Sequence, residues 1–353
     1  MPEAYAPQEV GGKINKWYQA VSSYQLNKSI KWKATISPLL KQMEQDHKVI
    51  TFYQLVSYKH EMLVKQFQEK NPYYSFAIAE HSELDYFLKF LSEFMMADFY
   101  YYKEQFEDAF DRYRNAERML MYVEDKIERA EFKFRLGKSY DALGMHRFAK
   151  RAFQHAVASF EQEKAYLRKT IESKLCLADS HVHVDEHEEA SKVLKEVLID
   201  AEKLPHTKPI VRRSIALYWI RVQNYAKAKP HLELALVDDH YRQSAAGANT
   251  EAMLAKVCYM VDDHIVAKER LLGAEARADE LGCSETKAVC SIIRGLYEPA
   301  SEPLVDDGIN ALKDVSHTNV YVDALKMLVN HYEKKQAHER ALFYMRKVLE
   351  VRG

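Results

Sequence analysis

The stretch RAEFKFRLGKSYDALGMHRFAKRAFQHAVASF, residues 129–160, decides the fold. It places Leu136-Gly137, then Tyr140, on one apolar-periodic segment, and Ala149, Phe153 and Ala156 on the next. Both segments repeat at helical spacing, so they read as two helices joined by a short turn. Where the two helices cross closely the contact residues must be small. The aromatics then fill the space towards whatever packs alongside.

The same template recurs through the chain. Met96-Ala97, Tyr100, Ala109, Tyr113 and Ala116 form one copy. Others are Leu177-Ala178, Ala190 and Leu194; Ile215-Ala216, Trp219, Ala228, Leu232 and Ala235; and Leu254-Ala255, Ala267, Leu271 and Ala274. A degenerate copy surrounds Gly295, and a last one holds Tyr332 and Ala341. The offsets match the tetratricopeptide pattern. Small residues at 97, 137, 178, 216, 255 and 329 mark the register, and the first five lie 38–41 apart. This exceeds the usual spacing of about 34, which longer helices or loops absorb. Each hairpin leaves an apolar face that only a neighbour covers, so the units stack into a superhelix.

Composition agrees. The 353 residues include 10 Gly and 9 Pro, about 5% together, against about 12% in ordinary usage. A sandwich, barrel or doubly wound sheet needs more turn signals than this. The fold class is therefore all-α. A net charge of −1 lacks the basic footprint of a general nucleic-acid binder. Residues 1–70 differ, with ten Lys against six acidic residues, which suits an acidic partner at this end. Cys176, Cys258, Cys283 and Cys290 are scattered without a CxxC and read as small hydrophobes in a reducing compartment. The N-terminus has no apolar leader region, and no run approaches 18 apolar residues. A cytoplasmic protein without membrane contact is expected.

Residues 9–70 do not fit the repeat. A first helix is predicted over Glu9–Tyr24, with Val10, Ile14, Trp17, Tyr18 and Val21 on one stripe. A second spans roughly 28–46, with a kink or restart at Ser37-Pro38. A third spans roughly 49–68, with Phe52, Leu55, Val56 and Leu63 inward. Three such helices make a small bundle. The expected organisation is a three-helix bundle over 1–68, a linker over 69–80 ending the helix at Asn71-Pro72, and an array of about seven helix pairs over 81–353.

Few motifs carry chemistry. HExxH, GxxxxGK[ST], GxGxxG and GxSxG are all absent. The run His181-Val182-His183-Val184-Asp185-Glu186-His187 has metal-ligand residue types. It falls at a hairpin turn, where its side chains are expected to splay over the surface, so no metal site is expected.

Residues 10–63 carry a recognisable set: Val10-Gly11, Lys13-Ile14-Asn15, Trp17-Tyr18, Gln42-Met43-Glu44, Asp46, Tyr53, Leu55, Lys59-His60 and Leu63. The set resembles the Rap family, the response regulator aspartate phosphatases of spore-forming bacteria. That family pairs a three-helix bundle with a tetratricopeptide array, so the resemblance covers nearly the whole chain. It implies a role in two-component signalling, sporulation, competence and quorum sensing. The bundle binds a response regulator. Some members remove the receiver's phosphate, with Mg²⁺ supplied by the receiver. Others sequester a transcription factor from DNA, and secreted pentapeptides acting on the array rearrange the bundle and end the inhibition.

By this resemblance Trp17, Tyr18, Gln45 and His60 contact the partner, and Glu44, Asp46 and His47 stand where catalysis occurs. Phosphatase members carry a Gln at the position of His47, whose amide places a water in line with the acyl phosphate. An imidazole holds water differently, so weak or lost phosphatase activity is expected. Gln45, about 200° away on a helix, does not replace the amide. Peptide-contacting positions fall at His183 and Ser214, where the family's acidic residue and Asn are missing. This implies a reduced or absent peptide response. The expectation is a regulator acting mainly by sequestration, with phosphatase and peptide receptor as alternatives, needing no cofactor of its own and existing as monomer or homodimer.

Overall fold

The computed structural model describes residues 5–68, 85–298, 302–315 and 318–352. The linker expected at 69–80 lies outside them. The described residues are all-α, with one isolated backbone bridge, Tyr5 to Met43. The helices are α1 (Pro7–Ser22), α2 (Leu26–Leu40), α3 (His47–Gln68), α4 (Tyr86–Tyr102), α5 (Phe106–Met119) and α6 (Lys126–Ala142). Next come α7 (His146–Phe160), α8 (Leu167–His183), α9 (His187–Ala201), α10 (Lys208–Arg221), α11 (Tyr225–Ala235) and the single turn α12 (Asp239–Arg242). The last are α13 (Ala245–Met260), α14 (His264–Glu280), α15 (Ser284–Tyr297), α16 (Glu302–Val315), α17 (Thr318–Lys334) and α18 (His338–Arg352).

The chain forms two compact units, Met1–Ala190 and Ser191–Gly353. In the first, α4 packs on α5, α6 on α7, and α7 on α8. In the second, α10 pairs with α11, α13 with α14, α15 with α16, and α17 with α18. The small register residues do what the sequence asks of them. Ala97, Ala109, Ala116, Ala149, Ala156, Ala216, Ala228 and Ala255 are all fully buried. At Gly137 an added Cβ would lie 2.7 Å from a ring carbon of Phe153, so α6 and α7 approach as closely as a missing side chain allows.

The hairpin turns share one closure. Gly144 (φ 71) ends α6, its N–H donating to the Asp141 carbonyl at 2.9 Å while the Met145 N–H donates to the Tyr140 carbonyl at 2.8 Å. This pair of bonds is the left-handed Schellman closure. Gly282 (φ 66) closes α14 likewise, and at six other turns the left-handed position holds Tyr24, Glu104, Asp185, Gln223, Asp262 or Gln336. The scarcity of Gly therefore does not mean fewer turns. Non-glycine residues take the left-handed position at six of them.

The N-terminal bundle is held by a buried polar chain. The Trp17 indole N–H donates to Ser29 Oγ at 3.1 Å, and Ser29 Oγ lies 2.6 Å from His60 Nδ1. The Ser29 hydroxyl thus bridges Trp17 and His60 and joins α1, α2 and α3. Burial and the nearby Lys33 push the His60 imidazole below its ordinary value, with Glu61 opposing.

The bundle does not stand apart from the repeats. In the same unit Lys59 Nζ donates to Glu128 Oε1 at 3.1 Å and to Ser22 Oγ at 3.1 Å. Tyr24 OH donates to Glu131 Oε1 at 3.4 Å, and Lys169 Nζ donates to the same carboxylate at 3.2 Å. Burial raises the Glu131 carboxyl, but Lys169, Arg135 and Lys59 outweigh it and hold the group at about 2.

Candidate functional site

The residues that the sequence nominates around position 45 lie in the connector between α2 and α3. Helix α2 continues through Pro38 and ends at Leu40. Two features accompany this proline: it leaves one carbonyl without its intrahelical donor, and the Ser37 hydroxyl donates to the Lys33 carbonyl at 2.8 Å. Of the expected kink or restart at Ser37-Pro38, the restart is corrected, and so is the extension to 46. Positions 43–46 are not helical, so the rotation argument applied to Gln45 does not hold.

The connector is pinned from outside. The Tyr5 N–H donates to the Gln42 carbonyl at 3.0 Å, and the Glu44 N–H donates to the Tyr5 carbonyl at 3.2 Å. Asp46 is the N-cap of α3: its carboxylate accepts the Val49 N–H at 3.0 Å and its carbonyl accepts the Ile50 N–H at 3.1 Å. A carboxylate there also complements the helix dipole. His47 then opens α3, with Glu44, Gln45 and His47 all exposed. The structure thus displays Glu44, Gln45 and His47 side by side, while Asp46 is committed to a structural bond.

Three of the four expected partner-contacting residues are buried in this structure. Trp17, Tyr18 and His60 are 0%, 6% and 4% exposed. They form the bundle core and set its shape, and only Gln45 meets solvent. The stripe that placed Trp17 and Tyr18 inward was already the sign of this. A residue both inward-facing and aromatic is more often core than contact.

The expected peptide positions lie in different units. Ser214 is half-buried on α10, between Val211 and Ile215 of the core, and its neighbour Arg213 donates to Asn249 Oδ1 at 3.2 Å. His183 ends α8, and its ring stacks on His146 at 3.9 Å between centroids. The run 181–187 does not simply splay, as the sequence suggests. His181 is buried, its Nδ1 2.5 Å from Glu186 Oε2, and Glu186 also takes Lys150 Nζ at 2.6 Å. Sequence reading missed Asp141 and His146 as partners of His183. The five-residue step across a hairpin turn is visible in the sequence, but its meeting with the end of the next helix is not.

The cysteines are free thiols; Cys258 and Cys290 are buried, and burial pushes the Cys176 thiol up to about 12. Among the described residues no helix is long and apolar enough to cross a membrane.

Comparison with known proteins adds the following. The family model described as response regulator aspartate phosphatase H, N terminal, matches residues 4–65. A protein of Rhodococcus hoagii, named type II methyltransferase M.CeqI, is 29% identical over an alignment of 359 positions that covers all of this chain and 69% of that protein. Regulatory protein RapG of Bacillus subtilis (strain 168) is 27% identical over 292 residues, 81% of this chain and 77% of that one. The crystal structure of a Rap protein complexed with competence and sporulation factor shares the fold, with a TM-score of 0.83, 19% identity and 98% of each chain covered.

Proposed function

The chain belongs to the Rap family as a divergent member, and on that premise we propose that its N-terminal bundle binds a response regulator or other transcription factor and holds it off DNA. One observation carries the reading. The connector offers Glu44, Gln45 and His47 as an exposed polar edge, while Asp46 is tied up as a helix cap. Such an edge serves recognition without requiring chemistry. The excess of lysine in residues 1–70 favours an acidic partner surface. The methyltransferase name belongs to the Rhodococcus relative. The all-helical described residues supply no parallel sheet of the kind at whose strand ends nucleotide-type cofactors bind.

The test is a promoter-binding assay. Candidate regulators mixed with the protein at micromolar concentration should lose DNA binding, and Gln45→Arg should restore it. If no regulator is ever impaired, sequestration is wrong. Phosphatase action through His47 is the competing outcome. Receiver-bound phosphate would then decay faster with the wild type than with His47→Ala, and equal rates would eliminate it.

A second reading, response to a short signalling peptide, is favoured by the solved Rap protein of like fold, which holds competence and sporulation factor. His183 and Ser214 replace the groups the family uses, so the expected response is weak. Calorimetry against a panel of pentapeptides decides it, and a micromolar binder would overturn the expectation.

A further inference from the structure

Asp141, His146 and His183 bring ligand-type atoms together at the turns of successive hairpins in the first unit. Asp141 lies in the last turn of α6, His146 opens α7 and His183 closes α8. Asp141 Oδ1 is 2.9 Å from His146 Nδ1. The His146 and His183 rings face each other, 3.9 Å apart and 4° from parallel. Asp179 Oδ2 lies 3.6 Å from His183 Nε2, on the turn of α8 that precedes it. One ligand atom from each of Asp141, His146 and His183 falls within 4.8 Å of the others, and all three residues are half-buried.

The spacing favours a cation. Asp141 Oδ1 and His146 Nδ1, 2.9 Å apart, sit close to the separation of two ligand atoms on one small ion.

Ligand chemistry narrows the ion. Two imidazoles and a carboxylate suit Zn²⁺ and its first-row neighbours, whereas Mg²⁺ and Ca²⁺ prefer all-oxygen sets. Zinc bonds of about 2.0–2.1 Å in tetrahedral array put ligand atoms roughly 3.4 Å apart. Closing from the present spacing takes ring rotation about χ2, a broad and soft torsion. We propose that Asp141, His146 and His183 form a binding site for a divalent transition metal of the Zn²⁺ class, fastening the α6–α7 turn to the end of α8. The nearby Glu186 is engaged by Lys150 and His181 and stays outside the site.

The test uses the full chain, stripped with a chelator and dialysed. Calorimetric titration with ZnCl2 should show one equivalent bound at micromolar affinity or better, and Co²⁺ should give visible d–d absorption. Thermal unfolding should rise with added Zn²⁺. His146→Ala and His183→Ala should each weaken binding at least about tenfold, with the double variant losing it. Asp141→Asn should weaken it less, and His187→Ala should leave it unchanged. Each variant is compared with itself, with and without Zn²⁺, so altered folding stability does not imitate a binding loss. Zinc bound equally by wild type and the double variant would mean scattered binding by the chain's 15 histidines and would overturn the site. So would an absence of saturable binding below about 100 µM in the wild type.

Discussion

At the scale of single residues, two positions show how little freedom the packing leaves. Gly137 faces Phe153, which is 1% exposed. A methyl group there has to displace a buried ring, and overpacking of this kind costs about 1–3 kcal/mol. Gly137→Ala should therefore lower the unfolding free energy by that amount, read as a lower urea midpoint at unchanged slope, and an unchanged midpoint would show that α7 gives way freely. His60 makes a second case. Its imidazole is held below its ordinary value of 6.5 by burial and by Lys33. The unfolded chain takes up a proton below pH 6.5 that the folded bundle resists. Stability supplied by His60 is thus complete above 6.5 and falls as pH drops towards the depressed folded value. Denaturant midpoints at pH 7.5 and 5.5 should differ more for wild type than for His60→Gln. Equal slopes would mean that the ring's burial is not felt.

At the scale of elements, the hairpin turns are the informative feature. Six of them place a non-glycine residue at positive φ, at a cost of roughly 1–2 kcal/mol each. Gln223 is exposed at φ 57, with its N–H donating to the Ile220 carbonyl at 3.0 Å. Gln223→Gly keeps both turn bonds and removes the Cβ conflict, while glycine's greater unfolded freedom takes back part of the gain. A net stabilisation of about 0.5–1 kcal/mol is expected by thermal melting, and a loss would show that the Gln side chain contributes more than its backbone conflict costs. The connector follows the same logic. Asp46 is retained by the α3 N-terminus through Val49, so Asp46→Ala should cost about 1 kcal/mol whatever the bundle binds.

At the scale of the whole molecule, the two units Met1–Ala190 and Ser191–Gly353 each have their own buried residues. The first unit includes the bundle, since Lys59 reaches Glu128 and Tyr24 reaches Glu131. Stability in repeat proteins is approximately a sum of local and nearest-neighbour terms. Gly137→Ala should accordingly speed amide exchange in α4 to α8 and leave α13 to α18 near wild-type rates. Uniform acceleration across the chain would indicate a single cooperative fold instead.

Much of this was legible before folding. Helix type and the small residues at the hairpin crossings follow from periodicity, because each depends on neighbours three or four positions away. The stripe Val10, Ile14, Trp17, Tyr18 and Val21 is buried as expected. Which side chains meet was not legible. Asp46 reads as a catalytic carboxylate in a run of polar residues, yet its nearest donor is the Val49 amide. His60 reads as a surface contact, yet Ser29 on another helix holds it. His183 reads as part of a local run, yet it meets His146 from the preceding hairpin.

The sequence by itself determined the all-helical class, the repeat register and the Rap-like N-terminal segment, since each is written in spacing along one chain. Only the tertiary structure decided that α2 stops at Leu40, that three of the supposed contact residues are core, and that Asp141, His146 and His183 converge. The reason is physical: helix formation is governed by neighbours in sequence, whereas burial and side-chain convergence depend on how separate helices cross.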